Sequence, residues 1–146
     1  SPDAHRVLAE VIERLDYSQI GVHDWYVYAL ARSIGLTWVI GEEPTLEYRQ
    51  HGGNVQGANS GSGARDARMA KLRNGFYRNQ FILTARTAQK VGTFDERRAR
   101  QLRAILGELE GQGVASRLRF ALRWRQIRRD PVEGLKLAAA RVLGVW

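Results

Sequence analysis

Apolar residues recur at helical spacing along most of this chain, and the period changes in one region only. The first run, Val7 to Leu15, follows the i, i+3, i+4 pattern of a helix face. Residues 36–40 and 45–50 are instead rich in β-branched and aromatic side chains, on either side of a turn at Pro44, which predicts two short strands. Helices are predicted near residues 3–15, 25–34, 65–89, 94–109 and 114–129, with a last one from 131 to about 144.

Local signals mark several of the predicted helix ends. Asp24 lies where an N-cap is expected, and Gly35 is suited to end the same helix. The segment Thr93-Phe94-Asp95-Glu96 fits a capping box. Asp130 followed by Pro131 fits a cap and a first-turn proline. Together these elements predict a mainly α-helical α+β fold with two short strands.

A glycine-rich stretch divides the chain. Residues 52–63 hold five of the fifteen glycines, which predicts a long flexible loop, and loops of this kind often serve function. The loop lacks the Lys-Ser/Thr ending of a nucleotide-binding P-loop, so that class of site is excluded. We predict one region over residues 1–63 and a second, helical region over residues 64–146.

Composition narrows the class of protein. The 146 residues are 44% hydrophobic and include no cysteine, which permits a real core and excludes disulfides, thiolate metal sites and cysteine nucleophiles. No apolar run approaches the roughly 18 residues of a membrane span. We expect a cytoplasmic location, with peripheral contact to the inner face of the plasma membrane as a further hypothesis.

The net charge of +8 conceals a strong asymmetry. Residues 1–63 carry four cationic and eight acidic side chains, whereas residues 64–146 carry nineteen cationic and seven acidic ones. A difference of this size predicts a polyanionic partner near the second region, such as lipid headgroups, nucleic acid or a phosphorylated ligand.

Chemistry-bearing side chains concentrate at two points in the first region. His23, Asp24 and Trp25 stand at a predicted helix start, and Arg49 and His51 stand at a predicted strand end. Asp24 is either a general base for a sugar hydroxyl or simply the helix cap. For the others a structural role is an equal or better interpretation: a surface position for His23 and His51, packing for Trp25 and a solvated strand end for Arg49.

These residues together resemble a known family. His-Asp-Trp-Tyr at residues 23–26, followed by VIGEEPTLEYRQHGGNVQGA at residues 39–58, is similar to the C-terminal part of the catalytic domain of family 2 glycosyltransferases, which have a GT-A fold. The likeness is greatest to the bacterial rhamnosyltransferase-like enzymes that build surface polysaccharide. It covers roughly residues 20–60, and the combined motif is more specific than its pieces.

The resemblance implies roles for individual residues. Asp24 matches the catalytic base of an inverting transfer, with His23 and Trp25 near the acceptor. The Y-R-x-H-x-x-N segment at residues 48–54 matches the family residues around the departing diphosphate and its divalent metal, Mg²⁺ or Mn²⁺, which the family holds through an Asp-x-Asp in its N-terminal half. The substrate-binding positions implied there are Tyr48, Arg49 and Asn54, and the metal position is His51.

The chain also departs from that family. No nucleotide-binding βαβ units precede His23 and no Asp-x-Asp occurs, so the resemblance implies the acceptor-side portion of a larger enzyme, inactive alone. Its partners would be a nucleotide-sugar donor and a saccharide or lipid-linked acceptor.

The basic helical region leaves alternatives to catalysis open. Arginines interleaved with Phe120 and Trp124 in the predicted 114–129 helix suit an anionic membrane surface as well as a solvated bundle face. A nucleic-acid module is disfavoured, because no recognition motif occurs and the acidic first region would repel that ligand. A homodimer through the 65–89 helix is a further alternative.

Overall fold

The computed structural model describes residues 2–39, 62–128 and 130–146, and every regular element in those ranges is a helix. In chain order the helices are α1 (Pro2–Glu13), α2 (His23–Ser33), α3 (Ser62–Arg73), α4 (Phe76–Val91), α5 (Glu96–Glu110), α6 (Val114–Leu122), α7 (Trp124–Ile127) and α8 (Pro131–Val142). Helix α4 packs against α2, α3 and α5, and α8 packs against α6 and α7.

The predicted α+β fold is therefore wrong for the part of the chain that the structure describes. Residues 36–39, from the first predicted strand, form no strand there. A strand needs a neighbouring strand to bond its main-chain N–H and C=O groups. Here the Leu36 N–H donates instead to the Ala31 carbonyl at 2.9 Å. The Trp38 ring packs edge-on against Tyr28, with centroids 5.5 Å apart. The second predicted strand, 45–50, lies outside the described residues.

Two of the predicted helices are each divided in two. The predicted 65–89 helix breaks at Gly75, whose φ of +77° belongs to the left-handed region that glycine tolerates. Beside it the Asn74 side chain accepts a hydrogen bond from the Phe76 N–H at 3.0 Å, which starts α4. The predicted 114–129 helix breaks at Arg123, whose guanidinium makes a two-pronged ion pair with the nearly buried Glu108 of α5, at 2.7 and 3.0 Å.

Gly35 and Asp130 act at helix ends as predicted, whereas the predicted capping box that begins at Thr93 is wrong. Gly35 ends α2 with a φ of +84°. The Asp130 carboxylate caps α8 by accepting from the Val132 N–H at 2.8 Å. At α5 the cap is Asp95, which accepts from the Arg98 N–H at 2.7 Å. Thr93 does not fill that role, because its own N–H is bonded to the Ser33 carbonyl of α2.

Two apolar clusters form the core, and α4 contributes to both. The first unites α1, α2 and α4 around Tyr26 and Leu30. The second unites the C-terminal helices around Leu109, Phe120 and Trp146. Since α2 lies in the predicted first region and α4 in the second, helices from the two regions share a core, and the predicted division at residue 63 stays a prediction.

Arg141 of α8 has no solvent exposure, although it carries a charge. Its guanidinium donates to the main-chain carbonyls of Glu108, Leu109 and Gly111 at 3.1, 3.2 and 2.5 Å, and to the main-chain oxygen of Trp146 at 3.1 Å. A cation therefore satisfies the free carbonyls at the end of α5, where the helix dipole is negative. Burial, reinforced by Arg78 and Arg117, lowers the pKa of Arg141.

Two helical glycines make a matched test of packing. A methyl group on Gly134 of α8 would overlap the carbonyl oxygen of Trp124, whereas Gly107 of α5 has open space at that position. We expect Gly134→Ala to lower the free energy of unfolding by about 2 kcal/mol through overpacking. Gly107→Ala is the control, expected to raise it by up to about 1 kcal/mol. Urea denaturation measures both, and equal effects would contradict the close α7–α8 contact.

Candidate functional site

The start of α2 carries the candidate base. Val22 is the N-cap residue and makes no side-chain capping bond, so Asp24 is the second residue of the helix. The interpretation of Asp24 as the cap is therefore wrong. His23 and Asp24 are both exposed. The Asp24 carboxylate can thus be reached by a ligand from solvent.

The backbone before α2 is fixed by a buried glutamine. Gln80 of α4 accepts a hydrogen bond from the Gly21 N–H at 2.8 Å and donates to the Gln19 carbonyl at 3.1 Å. Ile20 and Val22 are buried on either side of Gly21. These contacts hold the loop to α4, so the exposed Asp24 side chain stands on a main chain that has little freedom to move.

Trp25, the next residue, is half-buried and packs against α4. Its ring stacks on Phe81 of α4, with centroids 4.9 Å apart and planes 20° apart, and also contacts Tyr77 at 5.8 Å. The Arg128 guanidinium lies over the Trp25 ring, 5.7 Å from its centroid. Phe81 and Arg128 therefore restrict the access of a sugar ring to the indole.

Trp25 belongs to the wall of a cleft of about 480 Å³ between α2, α3, α4 and the C-terminal helices. We call it the aromatic cleft, because Trp25, Tyr77, Phe81 and Trp146 form much of its lining. A second cavity of about 160 Å³, also bordered by Phe81 and Trp146, lies next to it and is almost entirely apolar. Such a surface suits the apolar faces of sugar rings or a lipid chain.

Sequence reasoning missed most of this cleft. The sequence pattern assigns no role to Tyr77, Phe81, Glu133 or Trp146. A usable signal was present, because Tyr77 and Phe81 are one helical turn apart and so share a face. Their meeting with Trp25 depends on how α2 packs against α4, which the pattern of one helix does not give.

The other predicted site residues lie outside the described ranges. These are Tyr48, Arg49, His51 and Asn54, so the structure does not test whether they approach Asp24, and their roles stay predictions. Within residues 2–39, 62–128 and 130–146 no group of three or more His, Cys, Asp or Glu side chains is placed to hold a metal ion. The described residues thus offer no fit for the implied Mg²⁺ or Mn²⁺, and we derive no step through a metal.

Comparison with known proteins gives one informative similarity. The chain is 29% identical over 127 residues to the dTDP-rhamnosyl transferase RfbG of Shigella flexneri. This chain resembles a glycosyltransferase. The match covers 87% of the chain and 40% of the relative, so the chain spans well under half of that protein's length. No family model matches, and no solved structure matches either.

The match extends along most of the chain. A stretch of 127 residues within 146 includes residues 20–127 wherever it begins, so it contains Asp24, the Y-R-x-H-x-x-N segment and helices α3 to α6. The similarity to a rhamnosyl transferase therefore extends beyond residues 20–60 into the basic helical region. It does not show a GT-A fold or membership of family 2.

Proposed function

We propose that this chain is part of an inverting glycosyltransferase that transfers rhamnose from dTDP-rhamnose to a saccharide or lipid-linked acceptor during polysaccharide synthesis. The single observation that carries the proposal is the similarity to a dTDP-rhamnosyl transferase across 87% of the chain. The exposed Asp24 carboxylate, on a firmly held helix start, supplies a group suited to the chemistry.

The proposed step is a displacement at the anomeric carbon. The acceptor hydroxyl oxygen forms the new bond to that carbon, the bond from carbon to the diphosphate oxygen breaks, and dTDP leaves with the electron pair. Asp24 takes the hydroxyl proton as the oxygen attacks, which makes the oxygen a better nucleophile. His23, beside it, helps to orient the acceptor.

We assign the donor side of the reaction to residues that the structure does not describe. Arg49, with Tyr48 and Asn54, would contact the diphosphate, because a guanidinium pairs with phosphate oxygens through two hydrogen bonds. His51 would approach the diphosphate or its metal. The remaining donor contacts belong to the part of the relative's length that this chain does not span.

The acceptor would enter between the start of α2 and the aromatic cleft. Aromatic walls bind the apolar faces of sugar rings, and the exposed Arg128 and Glu133 at the cleft offer hydrogen bonds to hydroxyl groups. Stacking of a sugar directly on Trp25 would require the Arg128 side chain to move aside, since it lies over that ring.

The test uses the protein expressed from its complete reading frame. It is incubated with dTDP-rhamnose labelled in the sugar and with a polysaccharide-precursor extract as acceptor. We expect label in the saccharide or lipid fraction together with an equal amount of released dTDP. UDP-glucose serves as the matched donor control, expected to transfer much less. Absence of transfer from every nucleotide sugar tried would overturn the proposal.

A further inference from the structure

Helix α6 leaves an apolar stripe in solvent. Val114, Leu118 and Leu122 are 69%, 49% and 82% exposed, and each lies four residues after the one before. Residues at i, i+4 and i+8 share one side of a helix, so the three side chains form a continuous line along α6. The opposite side carries the buried Phe120, which belongs to the core.

Helix α8 shows the same arrangement. Its buried positions recur at helical spacing on the inner side, and its apolar residues also occupy the outer side. The exposed ones are Val132 at 59%, Leu135 at 55%, Val142 at 41% and Leu143 at 76%. Because a helix normally exposes polar residues to water, two such helices side by side call for an explanation.

The two stripes are on neighbouring helices. α6 and α8 pack against each other. The Arg117 side chain of α6 lies beside Gly144 just after the end of α8, and the Trp124 carbonyl just after α6 lies beside Gly134 near the start of α8, so the helices run antiparallel. We call the combined surface the apolar docking face. Its members are Val114, Leu118, Leu122, Leu135, Val142 and Leu143. Exposed apolar side chains gathered on two helices that pack together are typical of an interaction site.

The charges around this face indicate its partner. Residues 111–146 carry eight cationic and two acidic side chains. The exposed Arg119 lies about 60° around the helix from Leu122, at the edge of the stripe. In α7, two residues after Leu122 in the sequence, the Arg125 guanidinium lies over the Trp124 ring, 4.9 Å from its centroid. Apolar side chains bordered by arginines and a tryptophan match the boundary between acyl chains and anionic headgroups.

We propose that the apolar docking face binds the surface of an anionic lipid bilayer, with α6 and α8 lying in the interface. In the described part of the chain no helix is long and apolar enough to cross a membrane. A second copy of the chain is a poorer occupant, because Arg119 and its neighbours would face their own like charges. Nucleic acid would match the cations and leave the exposed leucines without a partner. This inference does not depend on the proposed enzymatic function.

The test uses the absence of cysteine from the chain. Leu122→Cys is labelled with an environment-sensitive nitrobenzoxadiazole dye, and Tyr17→Cys, at a residue that is 51% exposed between α1 and α2, is the matched control. Far-UV circular dichroism establishes that both labelled chains fold as the parent does. With vesicles of phosphatidylglycerol and phosphatidylcholine, we expect the dye at position 122 to brighten and shift to the blue while the dye at position 17 does not.

Affinities of two further variants for the same vesicles then measure the cationic and the apolar contributions to binding separately. We expect Arg119→Gln to weaken binding about fivefold, since each cation near an anionic surface contributes about that factor. Leu118→Ser is expected to weaken binding about tenfold through lost apolar burial. Raising the salt from 0.1 to 1 M, over which the Debye length falls from about 10 to 3 Å, should release most of the protein.

Other results would overturn the inference. Equal responses at positions 17 and 122 would remove the apolar docking face as the contact. A blue shift at position 122 that grows with protein concentration and needs no vesicles would assign the face to a second copy. A response to double-stranded DNA in place of vesicles would assign it to nucleic acid. Equal binding to pure phosphatidylcholine would remove the role of the arginines.

Discussion

Replacing Asp24 with asparagine in the complete form of the proposed glycosyltransferase is expected to lower the rate of sugar transfer about 10³-fold while donor binding stays the same. Asparagine keeps the size of the side chain but cannot accept the acceptor's proton. General-base catalysis contributes about 10² to 10⁴ in rate, so the expected loss lies within that range. Because Asp24 is exposed and makes no cap, the fold should not change.

The chain offers a close control for this variant. Asp3 is also an exposed aspartate and also the second residue of its helix, α1. Asp3→Asn removes the same charge at the same helical position, so it reproduces any general effect of charge on the helix dipole. We expect full activity from it. Transfer rates measured at saturating donor, with donor affinity from titration calorimetry, distinguish the variants, and an active Asp24→Asn enzyme would show that another group is the base.

The helix boundaries were predictable because the signals for them are local. Asp130, Pro131 and Gly35 act through their own backbone angles or their nearest N–H groups, so a sequence window contains what is needed. Gly75 had a visible signal as well, since Asn-Gly favours a turn, and the apolar periodicity on both sides obscured it.

The errors arose where distant residues decide the structure. The break at Arg123 accompanies its ion pair with Glu108, fifteen residues earlier, which no local pattern reveals. Residues 36–39 have strand-forming side chains, yet strand propensity acts only when a neighbouring strand is available. In the described chain the main-chain N–H of Leu36 is bonded to the end of α2 instead.

The candidate site shows the same division. The position of Asp24 at a helix start followed from the sequence, but the identity of the cap did not, because Val22 is held there by burial and not by a capping bond. The aromatic cleft joins Trp25 to Phe81 of α4 and to Trp146 at the C-terminal end of the described chain. Contacts between residues so far apart depend on helix packing, which the periodicity of a single helix does not predict.

Replacing Arg141 with methionine is expected to lower the free energy of unfolding by about 3 kcal/mol. Methionine fills much of the same volume, but it leaves the carbonyls of Glu108, Leu109 and Gly111 without their donor in a buried place. Each buried acceptor left unpaired costs about 1 to 3 kcal/mol. The variant also removes a buried charge that has no carboxylate partner among the described residues, which is favourable. The net loss of stability is therefore smaller than the summed cost of the unpaired acceptors.

Two further variants make the prediction specific to the hydrogen bonds. Arg141→Lys keeps the charge but lacks the forked guanidinium, so we expect it to lose about 2 kcal/mol. Arg100→Met removes an arginine whose side chain is 60% exposed and which, among the described residues, pairs with Glu96 of the same helix. Such surface pairs contribute little, so that variant should stay within about 0.5 kcal/mol of the parent. Urea denaturation followed by circular dichroism measures all three. An Arg141→Met chain as stable as the parent would mean that water or another donor replaces the guanidinium, and that the end of α5 does not depend on a buried cation.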